Sequence, residues 1–136
     1  MDQSYLLERV TYHRRQLHQI PEIGFDLFKT HAYLREVLES FGYDIEVVAR
    51  TGIVVKKDGL SKDAVAFRAD MDALSVYEKT DSPFKSLTDG NMHACGHDGH
   101  MAMLLTFAEY VSKIEQPAKT LVFIFQPAEE GPGGAK

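Results

Sequence analysis

The sequence predicts an α/β domain in which helices flank a layered sheet. Amphipathic repeats at helical spacing occupy most of residues 2–41, and strand-length runs rich in Val and Ile follow from residue 44. A later apolar run, residues 121–125, lacks polar alternation and therefore predicts a central strand covered on both faces. With 136 residues, of which 44% are apolar, the chain is large enough to bury one core.

Local patterns predict the first elements. Apolar positions recur at helical spacing over residues 2–20, and Pro21 ends this helix because proline disfavours helical geometry in the residue before it. A second helix is predicted over residues 28–41, with Gly42 as its C-terminal cap. Three strands are expected next, as a hairpin and a neighbouring strand. They cover residues 44–49, 52–57 and 64–69.

A loop and a buried helix complete the predicted elements. Residues 70–91 form the loop, with Pro83 and the Asp89-Gly90 pair as turn signals. Residues 99–114 carry two apolar stripes, which predicts a helix buried on more than one face. One stripe is Met101, Leu104, Leu105, Ala108 and Val111, and the other is Met103, Phe107 and Tyr110.

Composition narrows the function classes. The chain has 15 Lys and Arg against 20 Asp and Glu, and a net charge of −5 argues against a nucleic-acid or acidic-membrane surface. We expect small-molecule partners instead. No secretory leader or membrane-length apolar run is recognisable, so a cytoplasmic location is expected. The single cysteine excludes an internal disulfide and suits a reducing compartment.

Three polar clusters fall where this architecture predicts a site. Two carboxylates follow a predicted strand, a thiol and an imidazole precede the buried helix, and two further carboxylates follow the apolar strand. In open α/β sheets, ligands bind beyond the carboxyl ends of the strands. The clusters are Asp70 and Asp72, Cys95 and His97, and Glu129 and Glu130.

Cys95 and His97 suit a metal site. Two residues apart on an extended or turning backbone, their side chains can point to one side. Thiolate and imidazole bind zinc and other late divalent metals, and we expect the positive end of the following helix to favour the thiolate. The alternative interpretation is a buried structural cysteine beside surface histidines.

The carboxylates have functional and structural interpretations. Adjacent Glu129 and Glu130 are most simply solvated charge, but a buried strand delivers them into a glycine-rich loop, residues 131–134. Their side chains diverge, so one could bind metal while the other takes a proton from the attacking water. Asp70 and Asp72 could receive the second N–H of a ligand histidine or cap loop amides.

Four motifs together resemble the M20 metallopeptidase family, in its amidohydrolase branch. The resemblance covers nearly the whole chain and is most similar to the group that deacetylates N-acetyl-LL-diaminopimelate in lysine biosynthesis. The motifs are Leu-His-Gln-Ile-Pro-Glu-Ile-Gly-Phe at 17–25, Arg-Ala-Asp-Met-Asp-Ala-Leu at 68–74, Met-His-Ala-Cys-Gly-His-Asp at 92–98 and Phe-Gln-Pro-Ala-Glu-Glu-Gly-Pro-Gly-Gly-Ala at 125–135.

The resemblance implies a Zn-exopeptidase-like catalytic domain with a divalent metal, expected to be zinc, cobalt or manganese, and two ions in the complete protein. It implies roles for the six residues of the three polar clusters. It assigns no role to His93 and His100, the two other histidines at or next to the motif at 92–98. The implied metal ligands are Cys95, His97 and Glu130, the general base is Glu129, and the supporting carboxylates are Asp70 and Asp72. Outside the motif, His13, His18 and His31 are interpreted as helix-surface or packing residues.

The resemblance also implies that this chain is the N-terminal portion of a longer, apparently truncated catalytic domain. The family's later metal-binding histidines, remaining strands and dimerisation domain are expected after Ala135, and the complete protein is expected to be a homo-oligomer. Three alternatives stay open: an inactive metal-binding fragment, an amidohydrolase acting on another N-acyl amino acid, and a thiol enzyme with Cys95 as nucleophile and His97 as base.

Overall fold

A four-stranded sheet with helices packed against it forms the described part, residues 2–130, of the computed structural model. The predicted α/β class is confirmed. In chain order the elements are α1 (Gln3–His18), α2 (Phe28–Ser40), β1 (Glu46–Val48), β2 (Gly52–Lys57), β3 (Ser61–Asp70), α3 (His97–Ser112) and β4 (Lys119–Gln126). The glycine-rich loop predicted at 131–134 lies outside the described residues.

The sheet has the order β1-β2-β4-β3, which corrects one prediction. The β1–β2 hairpin is confirmed, but β3 does not neighbour it because β4 lies between them. β4 pairs antiparallel with β2 and parallel with β3. An interior position stabilises an apolar strand most, because both of its edges are paired there and its large side chains are covered.

The core lies on one face of the sheet. Phe123 and Phe125 of β4 are fully buried there, while Val122 and Ile124 on the opposite face are only partly buried. The prediction that this strand is covered on both faces is therefore wrong for the described residues. α3 lies against β3 and β4, and α1 packs on α3.

The burial of side chains in α3 and α1 differs in part from the prediction. Met101 and Leu105 of α3 are fully buried, but in the second stripe Met103 is 54% and Tyr110 43% exposed within residues 2–130, and only Phe107 packs against the core. His13 and His18 of α1 are buried in the interface with the rest of the domain, which confirms the packing interpretation for both and excludes a helix-surface location. None of the helices in the described range has the length and apolar character that a membrane span needs.

Candidate metal centre

The β3–α3–β4 unit brings the three polar clusters to one edge of the sheet. β3 and β4 run parallel, with Asp70 opposite Gln126, so both strands end at the same level. The N–H of Met71 donates to the carbonyl of Gln126 (2.8 Å), which joins the two chain segments as they leave the sheet. α3 begins between them at His97.

His97 is the centre of this arrangement and is only 5% exposed. Its Nδ1 lies 2.7 Å from the backbone oxygen of Asp72. Because a carbonyl can only accept, Nδ1 carries the hydrogen, which leaves Nε2 as the ring nitrogen that can bind a metal. Three carboxylates surround Nε2, from Asp70 at 3.9 Å, Glu129 at 3.8 Å and Glu130 at 3.7 Å.

Two sets of ligand atoms share His97. Cys95, His97 and Glu130 form one set, and Asp70, His97 and Glu129 form the other, with all ligand atoms of each set within 4.8 Å of one another. Metal–ligand bonds of about 2.0–2.3 Å place the ligands of one ion at such separations. Thiolate, imidazole and carboxylate are zinc ligands. The residues present therefore fit a divalent metal.

Two left-handed residues shape the segments that carry these ligands. Gly96 has φ of 95° and forms the N-cap of α3, so the chain turns between Cys95 and His97. This turn provides the common direction that the two-residue spacing predicted. Ala128 has φ of 59° directly before Glu129, a strained conformation for a residue with a side chain. Strain of this kind concentrates at functional sites.

Asp72 connects the two ligand-bearing segments. Its buried Oδ2 accepts the backbone N–H of Glu130 (2.9 Å), and its own carbonyl accepts the Nδ1–H of His97. The carboxylate therefore caps a loop amide, and the backbone carbonyl is the acceptor for the histidine. Oδ1 of Asp72, 3.5 Å from His97 Nδ1, and Oδ1 of Asp70 are buried without a hydrogen bond among the described residues.

The crowding of negative charge at the site shifts the pKa values of two side chains. A hydrogen bond to Glu130, together with the charge of that carboxylate, raises the pKa of the Cys95 thiol. The neighbouring carboxylates therefore oppose the thiolate that the positive end of α3 is expected to favour. Burial, followed by the charges of Glu130 and Asp70, raises the pKa of Glu129. A divalent cation would counter both effects, which supports the fit of the residues to a metal.

The remaining histidines of the motif differ in setting. Both ring nitrogens of His93 are buried and have no hydrogen-bond partner within residues 2–130, and burial lowers the pKa of His93 to about 4. His100 is exposed one turn along α3, with its ring centroid 6.0 Å from that of His97. Cys95 is also exposed, against the alternative of a buried structural cysteine.

Sequence reasoning missed a polar cluster behind the site. Asp98, the residue after His97, binds Arg14 and His18 of α1, and His18 also binds Glu78 of the loop between β3 and α3. The sequence did contain two indications of this cluster. Arg14 and His18 are four residues apart and so share one face of a helix. Asp98 lies at the start of an otherwise apolar helix, where its charge needs a partner.

Comparison with known proteins agrees with this geometry. Residues 66–136, just over half of the chain, match the family described as Peptidase family M20/M25/M40. This chain belongs to the M20 family. The crystal structure of the Bacillus subtilis YXEP protein, a dinuclear metal binding peptidase from the M20 family, superposes with a TM-score of 0.86 at 38% identity, covering 93% of this chain and 37% of that one.

Two curated relatives carry a more specific name. The N-acetyldiaminopimelate deacetylase of Bacillus subtilis is 50% identical over 134 residues, which are 96% of this chain and 35% of the relative. The protein of the same name from Bacillus pumilus is 52% identical over 127 residues, 90% of this chain and 33% of the relative. The chain thus spans about a third of the length of these curated relatives.

Proposed function

We propose that this chain supplies part of the active site of a metal-dependent amide hydrolase that deacetylates N-acetyl-LL-diaminopimelate. The observation that carries the proposal is the pair of ligand sets that share His97. Cys95, His97 and Glu130 would bind one divalent ion, zinc, cobalt or manganese. In the complete protein a second ion would lie nearby, as the dinuclear relative suggests.

Glu129 is the proposed general base. When bound, a divalent ion lowers the pKa of an attacking water and polarises the acyl carbonyl. The Glu129 carboxylate takes a proton from that water and passes it to the leaving amine. The Glu129 carboxylate lies 3.8 Å from Nε2 of His97, beside the position that such an ion would occupy.

Asp70 and Asp72 are proposed to support these groups. Asp72 holds the backbone of Glu130 and orients His97 through its carbonyl. Asp70 lies on the Nε2 side of His97, where its negative charge favours retention of a cation. Both roles keep the ligand atoms in place before substrate arrives.

The substrate assignment rests on the two deacetylase relatives, of which the chain spans about a third. We further propose that this chain is the N-terminal part of the metallohydrolase catalytic domain, with later catalytic strands and a dimerisation domain elsewhere in a homo-oligomeric, cytoplasmic protein. An amidohydrolase acting on another N-acyl amino acid is the alternative that the same geometry supports.

A chimaera tests the proposal. These residues would replace the matching segment of the Bacillus subtilis deacetylase, and acetate release from N-acetyl-LL-diaminopimelate would be measured with Zn²⁺, Co²⁺ or Mn²⁺ and after chelation. Metal-dependent release is expected. A chimaera that binds metal but hydrolyses only other N-acyl amino acids would refute the substrate, and one that hydrolyses none of them would refute the activity.

Glu129→Gln tests the base in the same chimaera. The ion held by Cys95, His97 and Glu130 should stay bound, because none of its three ligands is changed, while kcat falls roughly a hundredfold or more. Glu115→Gln makes the same chemical change at an exposed position and should have no effect. Full turnover in Glu129→Gln would contradict the assignment. Covalent burst kinetics in the metal-free chimaera would instead favour the thiol-enzyme hypothesis for Cys95.

A further inference from the structure

We propose that His18 is a positioning residue for the metal centre, a cationic bridge that fixes the two segments delivering Cys95 and His97. Its two hydrogen bonds go to Asp98 and Glu78, which are not among the six candidate site residues. His18 belongs to the motif at 17–25, for which the proposed function gives no role. The inference rests on the proposed metal site.

The hydrogen bonds of His18 define its charge. Nδ1 lies 2.8 Å from Oδ2 of Asp98, and Nε2 lies 2.9 Å from Oε1 of Glu78. Ionised carboxylates only accept hydrogen bonds, so both ring nitrogens donate and the imidazole is a cation. Burial acts to raise the pKa of Glu78, but hydrogen bonds from Thr80, Ser86 and His18 outweigh it and lower that pKa, so Glu78 is ionised.

The Asp98 side of the bridge fixes the start of α3. The buried Asp98 carboxylate also accepts from Nε of Arg14 (2.9 Å) and from the N–H of Gly99 (2.9 Å). Asp98 directly follows His97, so its side chain ties the first turn of α3 to α1. A change of a few tenths of an ångström there would move His97 Nε2 away from the carboxylates it faces.

The Glu78 side fixes the loop that carries Asp72 and Cys95. Glu78 accepts from the backbone of Ser86 (2.8 Å), and its side chain is buried against His18. Without the imidazolium, Glu78 would lose its cationic partner and Asp98 would keep only Arg14, so repulsion between the two buried carboxylates would favour separation of the loop from the helix. The bridge therefore couples α1 to both ligand-bearing segments.

Cobalt binding to the 136-residue chain tests the inference. Co²⁺ titrations of the wild type and His18→Gln would be followed by the thiolate-to-cobalt charge-transfer band, which reports on Cys95 directly. His13→Gln is the matched control, because His13 is another fully buried histidine of α1 that binds Arg9 and Tyr33 instead. Urea denaturation without metal would give the stability of each variant.

We expect His18→Gln to bind Co²⁺ roughly 10-fold or more weakly, with an altered charge-transfer band at saturation, as for other residues that orient metal ligands. His13→Gln should bind like the wild type even where it is equally destabilised. Unchanged affinity and spectrum in His18→Gln, or an equal loss in both variants, would overturn the inference.

Two further outcomes are also decisive. If His18→Gln does not fold, Glu78→Gln replaces it, since it removes the charge that His18 meets on the loop side while Asp98 keeps its bond to Arg14. Wild-type affinity in Glu78→Gln would then overturn the inference, and weaker binding with normal stability would support it. Absence of Co²⁺ binding by the wild type would refute the proposed metal centre itself, and the bridge would lose its role with it.

Discussion

A fall in pH should destabilise this fold through His13. The ring is fully buried, with Nδ1 2.6 Å from Oη of Tyr33 and Nε2 3.3 Å from Nη2 of Arg9. Arg9 can only donate, so Nε2 accepts and the ring is neutral. Burial, reinforced by the Arg9 guanidinium, lowers the pKa of His13 from 6.5 to about 4. Glu109 opposes this only weakly.

The size of the effect follows from the two pKa values. Well above pH 6.5 the imidazole is neutral in both the folded and the unfolded chain. As the pH falls from 6.5 towards about 4, the unfolded chain takes up a proton that the folded chain refuses, so the free energy of unfolding decreases. A tenfold difference in proton affinity is worth ~1.4 kcal/mol, so the total loss is roughly 3 kcal/mol.

Urea denaturation of the wild type and His13→Gln, followed by circular dichroism, measures this loss. The variant should be less stable near neutral pH, because its buried hydrogen bonds are poorer. Towards about pH 4.5 the difference between the two proteins should narrow by roughly 2–3 kcal/mol, since only the wild type loses the His13 contribution. A difference that stays constant within about 0.5 kcal/mol would refute the assigned pKa.

Three further predictions concern the site and the sheet. Iodoacetamide should alkylate metal-free Cys95 more slowly than a small thiol at the same pH, because the pKa of Cys95 is raised. Glu130→Gln should lower that pKa and accelerate the reaction. Mass spectrometry over a pH series measures both rates, and an unchanged rate in the variant would contradict the prediction. Gly96→Ala should lower the free energy of unfolding by about 1–2 kcal/mol, because φ is 95°, and a loss too small to detect by urea denaturation would argue against that conformation. Gly59→Ala should cost about 1–3 kcal/mol in the same assay, since its Cβ would lie 2.2 Å from the carbonyl carbon of Lys119, yet the folded fraction should keep its Co²⁺ affinity.

The sequence predicted the elements of the fold better than their arrangement. Periodicity located the helices and strands, because it depends on which side of each element is apolar. The position of β4 between β2 and β3 depends on pairing between distant segments, which no local pattern encodes. The same limit explains Met103 and Ile124: an apolar face can be recognised in the sequence, but the neighbour that covers it cannot.

The candidate site also contains residues that were predictable from the sequence and residues that were not. Cys95, His97 and the two glutamates were predictable because strand ends and a helix start meet at one edge in any βαβ unit. His18 was harder to assign, since its four-residue spacing from Arg14 indicates a shared face of α1 but not the two carboxylates that meet it. The raised pKa of Cys95 was likewise hidden, because it depends on how closely Glu130 approaches.

The interior position of β4 also sets the order in which the molecule can be built. β2 and β3 each pair with β4 and not with each other. Neither pairing can form until β4, which begins at Lys119 beyond a long loop and a helix, is in place. Such distant pairings form late, because the entropy of closing the intervening chain must be lost first. Glu129 and Glu130 follow β4 immediately, so the ligand sets are completed only by the last strand to dock. Capture of a metal ion is thus expected to report the final stage of folding, and a chain that has not yet closed its sheet would release the ion.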